Sequence, residues 1–211
     1  MRTLFLFPLA VLVGCPSDKP GPDTPGGGDS APGTGDDTGT IEPDDTGEGD
    51  PPALTLGSDS FSDGAPIPLK HVCTAHGGDN ISPNLHWANS PDSTYFSIIM
   101  DDEVSPCGTG DAACKHWALF NIPASTDTLP EDLDPATVDG LIVGRNYSGS
   151  SSYAGPCPPN AHVYKITIYA LSDSMPVIES GVAYTRSQFQ SEFTAHILAQ
   201  DTIEGTFDPS R

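Results

Sequence analysis

The stretch "GPCPPNAHVYKITIYAL", Gly155 to Leu171, changes character in its middle. Its opening is rich in proline, which fixes φ and lacks an N–H, so regular structure is excluded there. From His162 the chain alternates, with β-branched and aromatic residues filling the positions a pleated surface favours. Period-two geometry then places His162, Tyr164, Ile166, Ile168 and Ala170 on one face. A histidine and a tyrosine thus open a face that continues as hydrocarbon, beside a rigid Gly-Pro loop. That arrangement predicts a strand over 162–171 with a small pocket at its start.

The surrounding sequence has the same style from Ala53 onward: short apolar runs broken by Pro, Gly, Asn and Asp. Such spacing predicts a mainly β domain over 53–211. "TYFSIIMD" (94–101) and "HWALFNIP" (116–123) are further strands, and "DGLIVGRNY" (139–147) is a shorter candidate. One stretch reads as helix, "SQFQSEFTAHILAQ" (187–200). There Phe189, Phe193 and Ile197 recur at helical spacing and Ser187 can cap. The class is mostly β with a C-terminal helix.

Alternation also places the ionisable groups. In the 116–123 strand, His116 shares a face with Ala118, Phe120 and Ile122. Asp101 closes the 94–101 strand. If these two strands are antiparallel neighbours, Asp101 and His116 meet at one rim. His162, opening a further antiparallel strand, joins them there.

The N-terminus has a different job. Met1-Arg2-Thr3 is followed by ten apolar residues, Leu4 to Val13. A membrane span needs about 20 such residues, so this run fits the core of a secretory signal. It ends in "LVGC", which resembles a bacterial lipobox. Residues 1–14 are then a lipoprotein signal peptide, and Cys15 is the lipidated residue. Residues 15–52 form an acidic Gly/Pro linker; with Ile41 as its one large apolar side chain, nothing there offsets chain entropy. The expected location is the bacterial cell envelope, anchored by lipid.

The formal net charge is −21, and no basic cluster interrupts it. Nucleic-acid backbones are therefore excluded as partners. Four cysteines remain beyond Cys15: Cys73, Cys107, Cys114 and Cys157. In an envelope protein an even number points to two disulfides. Cys107 and Cys114 flank "GTGDAA" and are the first choice for a local bridge, which leaves Cys73 with Cys157. The alternative leaves Cys73 and Cys157 reduced and buried. His71, Cys73, His76 and His86 raise the question of zinc, but one residue between His71 and Cys73 is too few for zinc spacing. No metal and no cofactor is assigned.

The ordered pieces "IPLKHVCTAHGGDNISPNLHW" (67–87), "IIMDDE" (98–103), "KHWALFNIP" (115–123), "GRNYSGSSSYAGPCPP" (144–159) and "HVYKITIYAL" (162–171) resemble one known family. It is the phosphatidylethanolamine-binding proteins, in their bacterial Raf-kinase-inhibitor-like branch. The resemblance implies a β-sandwich with a large central antiparallel sheet, a smaller second sheet, and a pocket for small anions or phospholipid head groups. By that resemblance the ligand-binding residues are Asp101 and Glu103 at a strand end, His116, the loop residues Tyr153, Gly155 and Pro156, and His162 with Tyr164. Two departures stand out. The acidic strand end reads "DDEVSP" and is followed by a Cys-containing insertion, and Val163 stands where the family carries arginine. No catalytic residue is assigned: Ser148 to Ser152 offer hydroxyls, but no Gly-x-Ser-x-Gly elbow presents them. The expected function is a lipid-anchored envelope binding protein for a small anionic ligand or head group. The alternative is an inhibitor or regulator of an envelope protease or kinase, acting on a protein partner the sequence does not name.

Overall fold

A computed structural model describes residues 53–211. The expected signal peptide, Cys15 and the linker lie outside the described residues. The described chain forms β1 (Thr55–Gly57), β2 (Leu85–Ala88), β3 (Tyr95–Asp102), β4 (Cys114–Pro123), β5 (Thr128–Leu129), β6 (Ile142–Val143), β7 (His162–Leu171), α1 (Arg186–Phe193) and β8 (Ile197–Phe207). Two antiparallel sheets result, ordered β1-β2-β5 and β6-β4-β3-β7-β8. No helix among the described residues is long and apolar enough to cross a membrane.

Strand β3 is the middle of the large sheet and is covered on both faces, which is why it reads as an unbroken apolar run rather than an alternating one. On one face Ile98, Met100, Leu119, Ile166 and Ile168 pack against Leu56, Leu85, Trp87 and Leu129 of the small sheet. On the other face Ile99, Phe120 and Tyr169 pack against Phe189 and Phe193 of α1. The layers are therefore small sheet, large sheet and helix.

Simple alternation fails in β4. Met100 pairs with Trp117 but Asp101 pairs with Lys115, so His116 is an extra residue. A second irregularity lies between Phe96↔Ile122 and Ile98↔Leu119, where β4 again carries one residue too many. Each bulge switches the face of the residues beyond it. Trp117, Leu119 and Ile122 consequently face the small sheet, whereas Ala118 and Phe120 face the helix. The expected shared face of His116, Ala118, Phe120 and Ile122 is thereby corrected.

The helix is also shorter than the sequence pattern suggests. Its cap is Thr185, not Ser187: the Thr185 hydroxyl accepts the Gln188 N–H, and the Gln188 side chain accepts the Thr185 N–H. The helix stops at Phe193. Residues 197–200, expected as its last turn, instead begin β8, where Ile197 pairs with Leu171 and Gln200 with Tyr169. The exposed edge of β7 offers a long ladder of backbone partners, which a single extra helical turn cannot match. Of the candidate strand 139–147, Ile142 and Val143 alone pair. Both favoured disulfides are present: Cys107–Cys114 and Cys73–Cys157, with Cα atoms 5.3 and 5.4 Å apart.

If packing rather than local propensity holds α1, two substitutions should separate. Phe189, fully buried, should cost about 3–5 kcal/mol as Phe189→Ala, while Thr185→Ala should cost about 1 kcal/mol. Urea unfolding midpoints of the two variants provide the comparison.

Candidate functional site

Where β3 ends and β4 and β7 begin, an open recess of about 350 Å³ enters the large sheet. Asp102, His116, His162 and Tyr164 line its interior; Tyr147 and two cystine-and-proline segments, around residues 106–114 and 157–159, form its walls. Alternation along β7 puts His162 and Tyr164 on the recess face, as their shared parity requires. The bulge in β4 turns His116 to that face beside Trp117, instead of to the helix side.

His162 Nδ1 lies 2.5 Å from Asp102 Oδ2, and each side chain is only 2% exposed. The other Asp102 oxygen accepts the Val104 N–H at 2.8 Å. His162 Nε2 is buried without a partner among the described residues. His116 Nδ1–H donates to the Ala154 carbonyl at 2.7 Å, which leaves the lone pair on Nε2. Burial holds the His116 imidazole below its ordinary pKa, against the opposing pull of the Ala154 carbonyl and Asp102. The Tyr164 ring meets His116 edge to face at 5.0 Å, and half-exposed Tyr147 does so at 5.1 Å. Burial, with Asp102 second, raises the Tyr164 phenol, so its hydroxyl stays a neutral donor.

Other expected site residues lie elsewhere. Asp101 has the parity of Ile99 and faces the helix. It accepts the Arg186 backbone N–H at 2.8 Å and its Nε–H at 2.6 Å. Burial raises the Asp101 pKa despite that guanidinium. Glu103 accepts the Gly110 N–H at 2.9 Å, the main cause of its lowered pKa, and meets Arg186 and Lys165. Both acids thus anchor the start of α1. Tyr153 is buried, with its hydroxyl donating to the His71 carbonyl at 2.9 Å and its ring against Trp117. The Gly155 N–H donates to Asn80 Oδ1 at 2.8 Å. A Cβ at Gly155 would collide with the His71 carbonyl oxygen, so only glycine allows this approach. The Pro156 carbonyl accepts the Cys73 N–H at 3.0 Å. Tyr153, Gly155 and Pro156 therefore join two loops and do not line the recess; Cys157, Pro158 and Pro159 do.

The sequence reading missed Asp102, Tyr147 and the walls made by the prolines and half-cystines, Cys157 among them. For Asp102 the signal was available, because its parity matches Ile98 and Met100. Tyr147 sits in an irregular loop and carried no periodic signal. Of the four zinc candidates, His71 is buried with Nδ1 on the Ile81 carbonyl, and His86 is exposed near Asp59. Only Cys73 and His76 come together.

The sequence pattern of the phosphatidylethanolamine-binding protein family matches residues 57–208. The chain belongs to that family. The UPF0098 protein of Aquifex aeolicus is 35% identical over 155 residues, spanning 71% of this chain and 85% of its own. UPF0098 protein YbhB of Escherichia coli is 33% identical over 162 residues, spanning 73% and 99%. Among solved structures, the family homolog CT736 of Chlamydia trachomatis superposes with a TM-score of 0.63 at 31% identity, over 74% of this chain and 97% of its own. YbcL of E. coli gives 0.64 at 25% identity, over 74% and 99%. None of these names denotes an enzyme. The two-sheet architecture is thus that of the family.

The pKa of His116 has a stability consequence. Its folded value lies below the unfolded value of about 6.5, so the unfolded chain takes up the proton first as pH falls. The stabilisation tied to the neutral imidazole is complete above that value and is lost as pH drops through the folded pKa. The urea midpoint should fall between pH 7.5 and pH 5, and His116→Phe should flatten that dependence.

Proposed function

We propose that this protein is a small-ligand binding protein of the bacterial envelope, held by lipid at Cys15, whose recess takes a small phosphate-bearing head group or a related anion. The observation that carries the reading is the buried Asp102–His162 pair, with His162 Nε2 unpaired and His116 beside it. In its charged form His162 donates from both nitrogens, Nδ1 to Asp102 and Nε2 into the recess. His116 Nε2 accepts. A singly protonated phosphate ester supplies the matching set, an oxyanion for His162 and a hydroxyl for His116. Prolines and cystines give the recess largely apolar walls, and a low local dielectric strengthens each hydrogen bond. The free head group of the lipid in the family's name, phosphoethanolamine, is such a monoester; in the intact lipid the phosphate is a diester and offers the oxyanion alone. The three cysteines of the lining are bridged and no serine among the described residues lines it, so the recess offers no free thiol or serine hydroxyl as a nucleophile.

The envelope location is supported by "LVGC" at the end of an apolar run and by two disulfides in the described domain, which persist in oxidising compartments.

Phosphoethanolamine titrated into the full chain, followed by calorimetry, tests the pocket. His116→Ala and His162→Gln should each weaken binding by about 10- to 100-fold, the value of a hydrogen bond to a charged group, with circular dichroism unchanged. Undiminished affinity in both folded variants overturns the reading. Separately, Cys15→Ala should move the protein from the membrane fraction to the soluble fraction of a bacterial host; an unaltered membrane fraction rejects the lipid anchor.

A further inference from the structure

At the edge of the recess three metal-ligand side chains converge. Cys73 Sγ, Cys157 Sγ and a ring nitrogen of His76 all lie within 4.8 Å of one another. While the Cys73–Cys157 bridge is closed, neither sulfur can serve, because the thiolate is the ligand form. We propose that reduction of this bridge by a dithiol converts the cluster into a Cys₂His site for a zinc-class divalent ion. The exchange balances. The external dithiol loses two electrons and two protons and closes its own S–S bond. The Cys73–Cys157 S–S bond breaks and becomes two thiols. The ion then displaces both thiol protons to solvent.

Local backbone geometry favours this. Cys73 caps a 3₁₀ turn, Thr74–His76, which is closed by Gly77 in the left-handed region (φ 81°). Residues three apart eclipse on such a turn, and Cys73 and His76 are three apart. The Gly78 N–H donates back to the Cys73 carbonyl at 3.1 Å and the His76 N–H does the same, also at 3.1 Å. Zinc pairs commonly have two to four residues between ligands; Thr74 and Ala75 are the two here.

His76 is already oriented as a ligand. Its Nε2–H donates to the Pro158 carbonyl at 3.0 Å, leaving the lone pair on Nδ1. Metal-binding histidines characteristically give their other N–H to a backbone carbonyl. That carbonyl belongs to the residue after Cys157, so one contact positions both segments of the site.

The sulfurs stay together once the bridge opens, because other bonds join the same loops. The Cys73 N–H donates to the Pro156 carbonyl, the Gly155 N–H to Asn80, and the Tyr153 hydroxyl to the His71 carbonyl. Tetrahedral coordination with Zn–S of about 2.3 Å sets the sulfurs about 3.8 Å apart. Side-chain rotation reaches that spacing from Cα atoms 5.4 Å apart. Cys157 is exposed, so both reductant and metal have access. It also lines the recess, so three protein ligands would leave the fourth position to water or to a ligand in the recess.

Co²⁺, which reports thiolate ligation and tetrahedral geometry by absorption, is the probe. The full chain carrying Cys15→Ser/Cys107→Ser/Cys114→Ser keeps Cys73 and Cys157 as its two cysteines. After reduction, verified by thiol count, it should bind one equivalent of Co²⁺ with thiolate charge-transfer and tetrahedral bands, displaced by Zn²⁺. Before reduction it should bind none. His76→Ala, at an exposed turn, should weaken Co²⁺ binding by at least about tenfold, and Cys73→Ser should remove the tetrahedral spectrum. Absence of uptake by the reduced chain, equal uptake before reduction, indifference to His76→Ala, or loss of fold on reduction each overturns the proposal. Calorimetry with phosphoethanolamine is a separate readout, so this outcome and that of the head-group pocket are distinguishable.

Discussion

One extra residue in β4 organises this molecule. Between the pairs Met100↔Trp117 and Asp101↔Lys115 the strand carries His116 unopposed, and the bulge turns that histidine to the face occupied by Trp117. Without it, His116 would follow Ala118 and Phe120 into the helix-side core. With it, the ring meets Tyr164 and donates to the Ala154 carbonyl. That bond ties the 144–159 loop to the sheet end, and the loop in turn carries Tyr147 and the wall at Cys157. Bulges re-aim side chains at functional strand ends for this reason.

A second constraint divides two adjacent acids. Asp101 and Asp102 are both nearly fully buried, yet pleating sends them to opposite faces. Each must therefore find its own cation or dipole, since an unpaired buried carboxylate is costly. Asp102 takes His162 and becomes part of the recess. Asp101 takes the Arg186 guanidinium and the first backbone N–H of α1, where the positive end of the helix also favours a negative charge. One strand end thus serves two tasks, holding the helix on one side and an imidazole on the other. The adjacent cystines close the recess: Cys107 and Cys114 form one wall and Cys157 another.

Much of this was legible in the residues. The alternation of 162–171 marks β7 to the residue, and the supposition that the three long strands are antiparallel neighbours agrees with the order β4-β3-β7. One short loop made Cys107–Cys114 the first choice, while the alternative of a reduced Cys73 and Cys157 stood open until the structure joined them. Small strands were the least legible: β1 and β5 have three residues or fewer, too short for any period to register, and β6 is two residues of the wider candidate 139–147. The tail of α1 misled for a different reason. Phe189, Phe193 and Ile197 fit helical spacing, but the last of them belongs to an edge strand whose backbone partners lie in β7.

Taken alone, the sequence determined the strand-rich class, the course of β3, β4 and β7 to within a residue or two, and that a histidine opens β7 beside a Gly-Pro loop, because residue type and period are local properties of a chain. Only the tertiary structure decided which aspartate enters the recess, that His116 faces it, and that Gly155 and Pro156 brace loops while Cys157 to Pro159 line the recess. Those outcomes depend on register between strands and on contacts between residues as far apart as Gly155 and Asn80, and a bulge of one residue is enough to reverse them.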